Sequence, residues 1–163
     1  MIRTVCEHDT QAITNIYNHY ILNSVATFET NVITSTDMAQ RIEQVQNAGF
    51  PWLVAHNAQG DVIGYAYANT WKARLAYRFT AEITVYVDQS CAQQGTGSKL
   101  YSALFAQLRE SDIRTVVGCI TLPNIASERL HEKFAMEKVG HFKDVGFKFD
   151  QWLDVGFWQG TLK

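Results

Sequence analysis

The chain of 163 residues is 47% hydrophobic and 18% charged, with a formal net charge of −2. That length suits one domain, residues 1–163, which buries roughly two-thirds of the surface exposed by the unfolded chain. No apolar run approaches the ~20 residues of a membrane span, and no Lys/Arg cluster makes the basic stripe that nucleic acid requires, so a small-molecule partner is the default.

The opening stretch MIRTVCEHDT lacks the basic and apolar regions of a secretory signal. Cys6, Cys91 and Cys119 are odd in number, widely spaced and without a Cys-x-x-Cys pair. They read as reduced structural thiols, which implies a cytoplasmic protein with no metal site.

Residues Ile2–Cys6 read as a first strand. Asp9 is placed to cap a helix that carries Ile13, Ile16, Tyr17, Tyr20 and Ile21 on one face and runs to about Asn23. TSTDMAQRIEQVQNAG repeats the pattern, with Met38, Ile42 and Val45 at helical spacing and Gly49 as the stop. PWLVAHNAQGDVIGYAYANTW predicts two strands around the turn NAQGD.

KARLAYR has no clean period and predicts a loop; FTAEITVYV alternates strictly and predicts a strand. A helix follows over Gly95–Leu108, then the strand TVVGCITL, a helix in NIASERLHEKFA capped by Asn124, and a final pair of strands with an intervening loop. This order implies an α+β fold, a mixed sheet with helices on both faces, and fits neither a Rossmann half nor a barrel.

The stretch CAQQGTGSKLYSALFAQL places two glycines between a strand and a helix. A helix N-terminus exposes unpaired N–H groups, and glycine lets the backbone approach an anion closely, so Gly95, Gly97 and Ser98 have the chemistry of a pyrophosphate cradle. A tight strand-to-helix connection uses the same residues. A Walker loop is excluded, because the gap between the glycines is too short.

VYV at a strand end, QQGTGSKLY opening a helix and GCITLPNIASERLHEKF further on resemble the GNAT superfamily of N-acetyltransferases. TFET, WKARLAYRFTAEITVYV, LPNIASERLHE and VGFKFDQWLDVGFWQ resemble its phosphinothricin and methionine sulfoximine acetyltransferase branch, over nearly the whole chain. The resemblance implies a mostly antiparallel central sheet, acetyl-CoA as co-substrate and a homodimer. For the coenzyme it implies Val85, Tyr86 and Val87 at the strand end, Gln93, Gln94, Gly95, Thr96, Gly97 and Ser98 in the turn, and Asn124, Ser127 and Lys133 on the next helix. For the amine substrate it implies Phe28 and Glu29 in a covering loop and Lys72, Arg74, Tyr77, Arg78 and Thr80 upstream of the strand. Two departures stand out: Ala92 replaces the usual Gln or Arg, and Ala135-Met136 replaces the usual Gly-Phe or Gly-Tyr.

Amine acetylation needs a neutral amine, a donor for the developing oxyanion and a proton for the departing thiolate. Glu82 is the base candidate, a carboxylate in an otherwise apolar strand, sharing a face with Thr84 and Tyr86; an ion pair with Arg74 or Arg78 is its structural alternative. His131 stands where the superfamily often has a thiolate-protonating tyrosine; a packed helix histidine is the alternative. His8, His19, His56 and His141 read as structural.

The residues thus point to acetylation of the α-amine of phosphinothricin, methionine sulfoximine or methionine sulfone, which detoxifies it. A protein N-terminus or polyamine is the alternative substrate within the class, and an acetyl-CoA-binding regulator without turnover the alternative outside it. The aromatic-rich C-terminal stretch, with Phe147, Phe149, Trp152, Phe157 and Trp158, carries more apolar surface than one hairpin needs and suggests a two-fold dimer; completing the monomer core would use the same residues.

Overall fold

The alternating segments form seven strands of one sheet: β1 (Ile2–Thr4), β2 (Trp52–His56), β3 (Val62–Thr70), β4 (Thr80–Val87), β5 (Thr115–Leu122), β6 (Glu137–Lys148) and β7 (Gln151–Thr161). The computed structural model describes residues 1–91 and 95–163 and orders the strands β1-β2-β3-β4-β5-β7-β6. Every neighbouring pair among the described residues is antiparallel except β4–β5.

Helices α1 (Thr10–Asn23) and α2 (Ser35–Asn47) cover one face of the sheet. Their apolar stripes, Ile13, Ile16, Tyr17 and Ile21 with Met38, Ile42 and Val45, bury against Trp52, Val54 and Tyr65. Helix α3 (Thr96–Arg109) covers the other face, burying Leu100, Tyr101, Leu104, Phe105 and Leu108 against Ala66, Ala68, Ile83, Val116 and Trp158. Helix α4 (Ile125–Lys133) leans on the same cluster through Leu130.

Local chemistry accounts for most boundaries. The Thr34 side chain accepts from the Asp37 amide and Asp37 answers the Thr34 amide, a capping box at the start of α2. The Asn124 side-chain oxygen accepts from the Ser127 amide at 3.1 Å and caps α4 as the sequence suggests.

Asp9 does not cap α1. Its carboxylate takes the Arg3 guanidinium at 2.7 and 2.8 Å and the Cys6 amide at 2.8 Å. Burial pushes its pKa up, and these bonds overcome that to hold it at about 2. The final loop of the sequence reading contracts to a two-residue turn, with Phe149 and Asp150 both at positive φ. KARLAYR contains a short 3-10 turn at Leu75–Tyr77.

Ala135, at the position where the superfamily usually has glycine, has φ +57. The chain therefore places an alanine in the left-handed conformation that glycine adopts at least cost. Met136 beside it is buried in the α3 core.

Candidate active site

The sheet opens where β4 and β5 stop pairing. Their parallel register runs from Thr80↔Thr115 to Glu82↔Val117 and ends there, although β4 continues to Val87 and β5 to Leu122. The Asp88 amide donates to the Ile63 carbonyl at 2.8 Å, which fixes the alternation along β4. Tyr86 and Thr84 therefore turn their backbone groups toward β3, whereas Val85 and Val87 turn theirs toward the split. The Val87 carbonyl accepts from the Tyr20 hydroxyl at 2.7 Å.

A groove of about 970 Å³ passes through this opening. Glu82, Thr84 and Tyr86 line it together with Val85, Val87, Tyr67, Cys119 and Phe28. Gly95, Thr96, Gly97, Ser98, Asn124, Ser127, His131 and Lys133 line it as well. The expected coenzyme residues that are described thus share one cavity with both catalytic candidates; Gln93 and Gln94 lie outside the described residues.

The start of α3 has the form an anion needs. Gly95 sits at the N-cap with φ +73, a left-handed conformation that glycine tolerates. Among the described residues the amides of Thr96, Gly97 and Ser98 precede the first helical bond, from the Lys99 amide to the Gly95 carbonyl at 3.0 Å, the place where a helix start meets a phosphate. The Lys133 ammonium donates to the Ser98 hydroxyl at 3.1 Å and adds a cation beside them. These residues fit a coenzyme pyrophosphate.

Glu82 is half-buried and pairs with neither arginine. Among the described residues no ion pair joins it to Arg74 or Arg78; the Arg78 guanidinium instead donates to the Leu75 carbonyl and lies over the Phe79 ring. Burial raises the Glu82 pKa, and the Cys119 thiol and the Lys72 charge offset part of the rise. A carboxyl so raised is closer to a useful base than an exposed one.

His131 is only 4% exposed. Its Nδ1 lies 2.8 Å from the Ser127 carbonyl, which can only accept, so Nδ1 carries the proton. Nε2 then accepts from the Tyr101 hydroxyl at 3.1 Å. Burial lowers the His131 pKa and keeps this neutral form. The Nε2–Cδ2 edge of the ring packs against β5, where a Cβ at Gly118 would collide with it.

The expected substrate residues divide. Phe28 reaches the groove, its ring lying against Gly146. Glu29 is not among the residues that line the groove: Arg41 holds it in a fork at 2.7 and 2.8 Å, and the Tyr17 hydroxyl donates to it. Lys72, Arg74, Tyr77 and Arg78 are exposed on the loop before β4, Thr80 is half-buried, and none of them lines the groove.

Sequence reasoning missed three features here. Lys148, 4% exposed, donates to the Ser24 and Thr27 carbonyls at 2.6 and 2.8 Å and ties the covering loop to the last hairpin. Tyr101 holds His131. Cys119, read as structural, opens into the groove beside Glu82.

A split strand pair with an anion-binding helix start on one side and a raised carboxyl in the gap is the arrangement of a transferase that uses a phosphate-bearing donor. Residues 2–156 match the family described as Acetyltransferase (GNAT) domain, and the chain belongs to that family and is an acyltransferase. Over 158 residues it is 41% identical to phosphinothricin N-acetyltransferase of Streptomyces viridochromogenes, covering 97% of this chain and 85% of that one. It is 34% identical to the L-methionine sulfoximine/L-methionine sulfone acetyltransferase of Salmonella typhimurium, covering 99% and 94%. A phosphinothricin acetyltransferase from Sinorhizobium meliloti in complex with acetyl-CoA superposes with a TM-score of 0.96 at 34% identity, covering 99% of this chain and 87% of that one.

Proposed function

We propose that this acyltransferase uses acetyl-CoA to acetylate the α-amine of a small amino-acid analogue, with phosphinothricin, methionine sulfoximine and methionine sulfone as the leading substrates, and so detoxifies it. The observation that carries this reading is Glu82, raised by burial and free of arginine, at the point where the Val85 and Val87 backbone turns into the opening between β4 and β5. The names of the relatives support the substrate class.

Acetyl-CoA supplies the activated acetyl group. The α3 amides and Lys133 hold its pyrophosphate, and the Val85 amide meets the thioester oxygen as negative charge develops there. Glu82 accepts the proton of the amine, directly or through a water, as the nitrogen bonds to the acetyl carbon; the carbon–sulfur bond then breaks and the thiolate leaves as the thiol, taking up the proton that Glu82 gained. His131 enters as a positioning group, because its Nε2 holds a lone pair at rest; with Tyr101 it braces the wall of the groove.

Arg74 makes no ion pair among the described residues, which leaves its guanidinium for the acidic end of the substrate. Arg74→Ala should raise KM for phosphinothricin or methionine sulfoximine about ten- to hundredfold, the equivalent of a charge-assisted bond of about 1.5–3 kcal/mol. KM for a simple amine should change far less in a thiol-release assay. An equal loss for anionic and neutral amines would reject the anion site.

The protein also pairs as a two-fold dimer in this proposal. Of the C-terminal aromatics, Trp158 is buried in the monomer and Phe157 half-buried, but Phe147, Phe149 and Trp152 remain exposed, Trp152 at 67%. Light scattering at assay concentration should give twice the chain mass; the mass of a single chain would refute pairing.

A further inference from the structure

We propose that Cys119 is a positioning residue for Glu82: its thiol donates a hydrogen bond to the carboxylate and holds it ionised and aimed into the groove. The role rests on the reading of Glu82 as the base.

The register puts Val117 opposite Glu82 in the last parallel pair, and side chains two residues apart on a strand share a face. Cys119 is therefore the first β5 residue on Glu82's face beyond the point where the strands part. Its neighbours Gly118, Ile120 and Thr121 are buried, whereas Cys119 opens into the same cavity that Glu82 lines. No arginine occupies the carboxylate, so the thiol has access to it.

The environment decides which partner holds the proton. Burial, then the charge of Glu82, push the thiol up to about 12, so near neutral pH it is S–H and not thiolate. A protonated thiol can donate, and it is a poor nucleophile toward a thioester lying in the same groove. In return the bond pulls Glu82 down against burial. The titratable groups that feel Glu82 are Cys119 of β5, Lys72 of the loop before β4, Tyr67 of β3 and Tyr101 of α3. Lys72 is exposed, the Tyr101 hydroxyl donates to His131, and Tyr67 stands opposite Thr84 and not Glu82, which leaves the thiol as the nearby donor.

The test combines kinetics with a readout independent of turnover. The pH profile of kcat/KM is measured for the wild type, Cys119→Ala and Cys119→Ser, and the S–H stretching band is recorded for the wild type, Cys119→Ala and Glu82→Gln. Cys119 faces the groove, so both of its variants should melt close to the wild type. Cys119→Ala should move the acid limb to higher pH, with about a three- to tenfold loss on that limb, because the carboxylate loses a donor; Cys119→Ser should recover most of it. The band missing from Cys119→Ala should shift toward that of a free thiol in Glu82→Gln. A Cys119 band indifferent to Glu82→Gln overturns the contact, and an unmoved acid limb in Cys119→Ala overturns the positioning role. A band that responds while Glu82→Gln keeps full turnover upholds the contact and rejects Glu82 as the base.

Discussion

Glu82→Gln should lower kcat by about 10²- to 10⁴-fold near neutral pH while acetyl-CoA binds as before, because the amide keeps the shape of the side chain and loses only its basicity. The wild-type rate should fall as pH drops through the raised Glu82 pKa, and the variant should lose that limb. Stability should move the other way. A carboxyl whose folded pKa exceeds its unfolded value destabilises the fold increasingly as pH rises from the unfolded pKa through the folded one. Removing the charge should therefore raise Tm at neutral pH. A variant with near-normal turnover would eliminate Glu82 as the base, whatever its Tm.

The second large effect is expected at Gly97. A Cβ there would lie 3.3 Å from Leu130 Cδ2 and 3.8 Å from Val87 Cγ2, so alanine fits once the leucine gives slightly. Valine adds methyl groups on the surface that a pyrophosphate must approach. Gly97→Val should weaken acetyl-CoA about ten- to hundredfold by calorimetry, roughly 1.4–2.7 kcal/mol, with Gly97→Ala intermediate. Unchanged affinity in the valine variant would remove the start of α3 from the coenzyme site.

Where sequence periodicity reports on one element, it read this fold well. Strand β5 covers the predicted TVVGCITL, and Asn124 and Thr34 cap as their types suggest, because these signals act within a few residues. Asp9 misled for the same reason: nothing in its immediate neighbourhood says that Arg3 will fold back onto it. The separation of β4 from β5 has no local signature at all. Alternation in AEITVYV tells which residues share a face but not where a parallel neighbour stops pairing, so the groove could be expected only from resemblance. Cys119 was hidden by the same limit, since a near-continuous apolar strand does not show which position faces a gap. The fork between Glu29 and Arg41 has no local signature either, since Arg41 lies on the following helix.

The Lys148 tie has a consequence for the order in which the enzyme becomes competent. Ser24 and Thr27 lie 124 and 121 residues before the lysine whose ammonium their carbonyls accept. On a ribosome the helices and the first strands emerge long before this partner exists. Strand β7, the last in the chain, must also insert between β5 and β6 before the hairpin can present Lys148. Such distant pairings form late, because the loop they close must be ordered before they contribute anything in return. On the proposed reading a nascent chain can thus assemble its coenzyme half while the loop that carries Phe28 into the groove is still untied, and acceptor binding should be the last property the protein acquires as it folds.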